Sequence, residues 1–242
     1  MRDPRLEIVA ERFTGIRRIV AVSSGKGGVG KSIVATTLAL TLAKTGGRVG
    51  LLDLDFTSPS THVILGVEGL YPKEEKGIVP PITHDLSYMS IVYYSADEPV
   101  PLRGADISNA LVELLAITRW GELDYLIIDM PPGIGDATLD LLRLVPRISF
   151  LVVTTPSRVA FESVRKLLLL LRETGTPVLG VVENMATRPS DYIRGQVEGL
   201  RFRYLGSLGF DPEIEDAIGD PTKLMTTDFA EEIEGLSKKI SA

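Results

Sequence analysis

Ser23-Ser24-Gly25-Lys26-Gly27-Gly28-Val29-Gly30-Lys31-Ser32 decides how this chain reads. From Gly25 it satisfies G-x-x-x-x-G-K-[ST], with an apolar β-branched run at Ile16 to Val22 before it and a run of helical period, Lys31 to Thr45, after it. Glycines let such a loop wrap so that successive backbone N–H groups point at phosphate oxygens, and the following helix adds its positive N-terminal end. The backbone from Gly25 through Gly27, Gly28, Val29 and Gly30 to Ile33 is then the cradle. Lys31 reaches the β- and γ-phosphates, and the Ser32 hydroxyl is offered to Mg²⁺. The same glycines also spell the dinucleotide fingerprint, Gly25-x-Gly27-x-x-Gly30, with Asp53 near the place of a ribose-binding acid. Lys31-Ser32 has no purpose in a dinucleotide site, however, and a second acidic strand end follows at Ile127-Ile128-Asp129, so the expected ligands are ATP and Mg²⁺.

Working outward, Leu51-Leu52-Asp53-Leu54-Asp55 closes the second apolar run with two carboxylates. In an open parallel sheet, ligands gather at the carboxyl ends of strands, so Asp53, Asp55 and Asp129 converge on the phosphate loop. Acids there would repel phosphates, a conflict that a hard cation resolves. After Asp129 come Met130-Pro131-Pro132-Gly133-Ile134-Gly135-Asp136, a stiff-then-flexible segment able to respond to a γ-phosphate.

The rest of the chain repeats this alternation of short β-branched runs with helical ones. Strands are expected at Arg48 to Leu52, Leu86 to Val92, Tyr125 to Ile128, Ser149 to Val153, Val178 to Val182 and Tyr204 to Leu208. Helices are expected at Ser108 to Ile117, Ala137 to Leu144, Ser157 to Glu173 and Pro221 to Lys239. The pattern predicts an α/β fold: one P-loop NTPase domain over residues 1–242, with a mostly parallel central sheet flanked by helices on both faces. An N-terminal helix lies within 1–15, serving as a partner contact or a docked flap. Residues 67–81, rich in Gly, Pro and charge, form an exposed loop. In the C-terminal helix, 221–240, Phe229, Ile233, Leu236 and Ile240 share a stripe that docks on the core, since its acidic polar face suits no membrane surface.

The 242 residues include no cysteine and only two histidines, His62 and His84. Disulfides, thiolate nucleophiles and any iron–sulfur cluster ligated by this chain's own sulfur are excluded. A net charge of −6 argues against nucleic-acid or anionic-membrane binding. Met1 to Arg5 is charged and no apolar run is long enough to span a bilayer, so a cytoplasmic protein is expected. Asn109, Asn184 and Gln196 are the only side-chain amides. Scarce heat-labile residues suggest a thermophilic source.

The motifs resemble those of the Mrp/MinD-type ATPases, whose signature is an additional lysine in the phosphate loop, here Lys26. The resemblance runs on through Leu51 to Asp55, Leu126 to Asp136, Leu151 to Pro156 and Gly180 to Met185. It implies a nucleotide-sandwich homodimer in which Lys26 crosses to the partner's phosphates. It also implies that Asp55 orients the attacking water, that Ser32 and Asp129 hold Mg²⁺ with Asp53 supporting them, and that Asn184 touches adenine.

Two branches of that family compete. Val182-Glu183-Asn184-Met185 and Met130-Pro-Pro-Gly look like the Mrp iron–sulfur carriers, but these have a C-x-x-C pair where this chain reads Ala186 to Ile193. Leu52 to Phe56, His62 to Gly66, Gly77 to Pro81, Pro101 to Gly104 and Ile117 to Asp129 resemble the archaeal Mrp/MinD-type HypB proteins. That likeness implies nickel insertion during [NiFe]-hydrogenase maturation with a HypA-type metallochaperone, and His62 as a transient nickel contact or merely a surface or capping histidine; His84 is expected to be structural. MinD- or ParA-like positioning is the remaining alternative.

Overall fold

The computed structural model describes residues 5–95 and 105–241, so the Pro101 to Gly104 likeness lies outside it. In chain order the elements are α1 (Arg5–Arg12), β1 (Ile16–Ser24), α2 (Lys31–Lys44), β2 (Val49–Asp53), α3 (Thr61–Leu65), β3 (Lys73–Glu74), β4 (Ile78–Val79), β5 (Ile82–Thr83), β6 (Leu86–Ser90), α4 (Val92–Ser95) and α5 (Ala105–Ile117). They continue with β7 (Leu123–Asp129), α6 (Asp136–Leu144), β8 (Ile148–Thr154), α7 (Arg158–Glu173), β9 (Val178–Ala186), α8 (Asp191–Gly199), β10 (Tyr204–Gly209), α9 (Glu213–Ala217), α10 (Pro221–Leu224) and α11 (Asp228–Ser241).

Eight strands make one sheet in the order β10-β9-β8-β1-β7-β2-β6-β5, parallel throughout except for the edge strand β5. The central strands are apolar on both faces because both are covered. On one face Val9, Phe13, Leu111, Leu141, Phe161, Ile193 and Val197 bring α1, α5, α6, α7 and α8 onto the sheet. On the other, Val34, Leu38, Ile64, Phe229, Ile233, Leu236 and Ile240 do the same for α2, α3 and α11. Strand order reverses beside β1, whose C-terminal end carries the phosphate loop, as expected for a ligand site in a doubly wound sheet.

The α1 helix is docked through Val9 and Phe13, and Arg12 Nε donates to the Ala116 carbonyl at 2.9 Å. The 67–81 stretch contains the β3–β4 hairpin, pinned where Arg119 Nη1 donates to the Glu75 carbonyl at 2.7 Å. The expected strand from Leu86 to Val92 ends at Ser90, and the chain turns into α4. The expected 221–240 helix is two helices, because two caps occur in succession. Asp220 accepts from Lys223 N with Pro221 in the first turn of α10, and Thr227 Oγ1 then accepts from Ala230 N to open α11. The apolar stripe of α11 is fully committed to the core, and its last carbonyls are taken by Arg18 and Arg203, both at 3.1 Å. Among the described residues no helix is long and apolar enough to cross a membrane.

Candidate functional site

The loop from Gly25 to Gly30 joins β1, buried from Ile19 onward, to α2, whose N-terminus has no side-chain cap. Its first N–H groups are therefore open to an anion. Gly28 and Gly30 hold φ of 76° and 77°, the left-handed region that glycine enters without strain. Gly30 is constrained twice over, since a Cβ there would lie 2.2 Å from Asn184 Nδ2. The loop's start is pressed on α7, where a Cβ on Gly25 would meet Val164 N at 2.5 Å. Gly133 N donates to the Ser24 carbonyl at 2.8 Å, laying the Met130 to Asp136 segment across the loop.

A cleft of about 540 Å³ opens there, lined by Lys26, Gly27, Gly28, Gly30, Lys31, Ser32 and Ile33 together with Asp55, Thr57, Ser58, Pro131 and Pro132. Lys31 is buried, with Nζ on Asp129 Oδ1 and 3.1 Å from Ser32 Oγ. The second oxygen of Asp129 is buried with no hydrogen-bond partner. Burial pushes this carboxyl up to about 7, against the opposing Lys31 charge and with Asp53 adding to the rise. An orphaned carboxylate oxygen next to a serine hydroxyl is a donor set that suits Mg²⁺, a hard cation that keeps most of its waters.

Asp53 and Asp55 perform different tasks. Asp53, wholly buried, accepts from Asp55 N at 3.0 Å, from Ser60 N and Thr61 N at 3.1 Å, and from Thr61 Oγ1 at 2.8 Å. Burial raises its pKa, and the N–H groups of Asp55 and Thr61 work against that rise. With its oxygens so engaged, Asp53 organises the 54–61 loop; the structure does not show it free to bind a cation. Asp55 rides on that loop, with Oδ1 accepting from Thr57 N at 3.2 Å and Ser58 N at 3.1 Å, and it lines the cleft. Lys26 is exposed at the cleft's rim and has no ion-pair partner among the described residues.

Asn184 is also brought to the site, but onto the loop itself: Nδ2 donates to the Val29 carbonyl at 2.9 Å. His62 lines a cleft with Tyr71 and Tyr93 that is separate from the one at the phosphate loop, and His84 Nε2 lies 3.1 Å from the Leu65 carbonyl at the end of α3. Among the described residues no group of three or more His, Asp or Glu is arranged to hold a metal ion. Sequence reading passed over Glu183, whose only signal is a charge directly after the apolar run Val178 to Val182; it is fully buried on β9.

Residues 15–241 match the ParA family model, described as a NUBPL iron-transfer P-loop NTPase. Proteins named iron–sulfur cluster carrier are similar across much of the chain. That of Saccharolobus solfataricus is 41% identical over 232 residues, covering 88% of this chain and 78% of the relative. That of Aquifex aeolicus is 40% identical over 222 residues, covering 85% and 61%. That of Pseudomonas fragi is 48% identical over 178 residues, covering 72% and 62%. The chain thus spans about three-fifths of the length of the last two. Among solved structures, a nucleotide-binding protein in complex with ADP from Archaeoglobus fulgidus has a TM-score of 0.77 at 31% identity, covering 91% of this chain and 93% of that one. The cell division ATPase MinD of Pyrococcus furiosus, at TM-score 0.70 and 21% identity over 93% of this chain and 98% of its own, shares the fold. These findings overturn the expectation of nickel insertion in [NiFe]-hydrogenase maturation and give a HypA-type partner no support. The relatives are named for iron–sulfur clusters.

Proposed function

The chain belongs to the ParA family of P-loop NTPases, in the form described as NUBPL iron-transfer, and we propose on that premise that it is an ATP-hydrolysing factor that handles iron–sulfur clusters held by another protein's thiolates. The observation that carries the nucleotide half of this reading is the Lys31–Asp129 pair at the floor of the cleft, with one Asp129 oxygen left over. Without nucleotide the pair neutralises a buried charge. Lys31 would contact the phosphates of a bound nucleotide, and Asp129 with Ser32 would hold its Mg²⁺. Bound there, Mg²⁺ screens the phosphate oxygens and stabilises the charge that shifts in phosphoryl transfer.

The chain's own residues do the rest. Backbone N–H groups of Gly27 to Ser32 surround the phosphates, and Asp55 is held by Thr57 N and Ser58 N where it can orient the attacking water. Asp53 fixes Asp55 by gathering four donors of the 54–61 loop. The unpaired Lys26 at the rim fits a cation that reaches the phosphates of a second copy and supplies charge as an arginine finger does. Asn184, holding Val29 through Nδ2, keeps its Oδ1 as an acceptor for adenine. Loss of the γ-phosphate relaxes the segments after Asp55 and Asp129, and that movement acts on the cluster-bearing partner.

The cluster half rests on the family and on the cysteine count. With no thiolate in its 242 residues, this chain works on a cluster whose sulfur ligands are supplied elsewhere. Phosphate release from Mg-ATP tests the first half. Lys31→Ala should abolish it and Asp55→Ala should lower it by about 10²-fold or more while nucleotide still binds. Undiminished turnover in both variants would refute the assignment.

A further inference from the structure

We propose that Glu183 is a positioning residue that couples the phosphate loop to the 187–190 loop and α8, making that corner of the surface the one that reports nucleotide occupancy. The inference rests on the reading of the phosphate loop as the nucleotide site.

The argument starts from strand geometry. Neighbouring residues on a strand point to opposite faces of the sheet. Near the end of β9, Val181 packs with the α7–α8 face and Val182 with the α2 face, so Glu183 and Asn184 continue in the same alternation. Asn184 reaches the phosphate loop, where it donates to the Val29 carbonyl and fills the space a Cβ on Gly30 would need. Glu183 reaches the other way. Its Oε2 accepts from Ser190 N at 3.2 Å and from the Tyr204 hydroxyl at 2.7 Å. Ser190 is the N-cap of α8, its Oγ accepting from Ile193 N, so Glu183 holds the helix by its cap. Two consecutive residues of a buried strand thus hold the phosphate loop on one side and a surface loop on the other.

A second path closes the circuit. Gly25 lies against the backbone of Ser163 and Val164 in α7, and Arg158 at the start of α7 stacks over the Tyr192 ring of α8 at 4.6 Å. A shift of the phosphate loop is therefore felt by α8 through β9 and through α7. Glu183 Oε1 is buried without a partner, an arrangement that costs free energy and serves no purpose in a rigid core. It leaves the carboxylate an unused acceptor for a second placement of the 187–190 loop. The Tyr204 hydroxyl, whose pKa is raised by burial and by Glu183, stays a donor in both placements.

Amide hydrogen exchange with and without Mg-ADP tests this, with nucleotide affinity measured in parallel. In the wild type, Mg-ADP should change exchange severalfold in residues 187–199 and leave 108–117 of α5 unchanged. Glu183→Leu, similar in size but without an acceptor, should abolish the change at 187–199 while nucleotide affinity moves less than about threefold. Glu183→Gln, which keeps an acceptor, should restore it. If Glu183→Leu does not fold, Tyr204→Phe should diminish the change in its place. A wild type that binds Mg-ADP without any change at 187–199, or a full change surviving in Glu183→Leu or Tyr204→Phe, would overturn the coupling. Absence of nucleotide binding would overturn the proposed function and this inference with it.

Discussion

Replacing Lys31 with methionine probes the buried pair through its pH dependence. In the wild type the Asp129 carboxyl is pushed up to about 7 by burial even with Lys31 beside it. In the unfolded chain it titrates near 3.9. Between those values the folded protein keeps a proton that the unfolded chain has lost. The contribution of Asp129 to stability therefore falls as pH rises through that range and levels off above about 7. Methionine removes the positive charge that Lys31 places on Asp129 Oδ1, while the second oxygen stays without a partner. The carboxyl then holds its proton to higher pH and the decline continues beyond 7. From pH 7 to pH 8.5 the gap between wild type and Lys31→Met should widen, by at most about 2 kcal/mol. Urea unfolding at pH 6, 7 and 8.5 without nucleotide reads this directly. Parallel curves for the two proteins would refute the claim that Lys31 holds the Asp129 charge in the empty site.

Other expected outcomes follow from the same geometry. Gly30→Ala should cost about 2–4 kcal/mol by thermal unfolding, from a left-handed φ and a Cβ driven into Asn184, whereas Gly27→Ala, with nothing within 4 Å, should cost far less. Lys26→Ala should leave folding and ADP binding intact, because the side chain is exposed and unpaired, while lowering turnover by about 10²-fold or more and abolishing the dimer formed with a non-hydrolysable ATP analogue in light scattering. Phe229→Ala should cost about 3–5 kcal/mol, since the ring is 1% exposed between α11 and the core. Folded wild-type protein should not float with anionic vesicles.

Most of the frame was legible because its signals are local. The phosphate loop, the acidic ends of β2 and β7 and the run of parallel strands all declare themselves within a few residues. The hydrogen-bond partners of Asp53 and Asn184 did not. Asp53 looks like a metal-shell acid until four donors from 55–61 are seen on it, and Asn184 meets Val29 across 155 residues of sequence. Short elements such as α3 and the β3–β4 hairpin are too brief for periodicity to register, since their conformation comes from tertiary anchors such as Arg119. Chemistry written into the nucleotide frame was readable, but cargo is chosen by surfaces and partners. There the likeness to HypB proteins misled, since the relatives are named for iron–sulfur clusters.

The central claim, that ATP drives this chain to act on a cluster it does not itself ligate, is met most directly by anaerobic cluster transfer. A cysteine-ligated [4Fe–4S] donor protein and an apo-ferredoxin acceptor are mixed with the chain, with and without Mg-ATP, and transfer is followed by circular dichroism. The account predicts acceleration only when the chain and Mg-ATP are both present, abolished by Lys31→Ala, with no iron retained on the chain after separation. Transfer indifferent to ATP, or a stable cluster on the isolated chain, would contradict it.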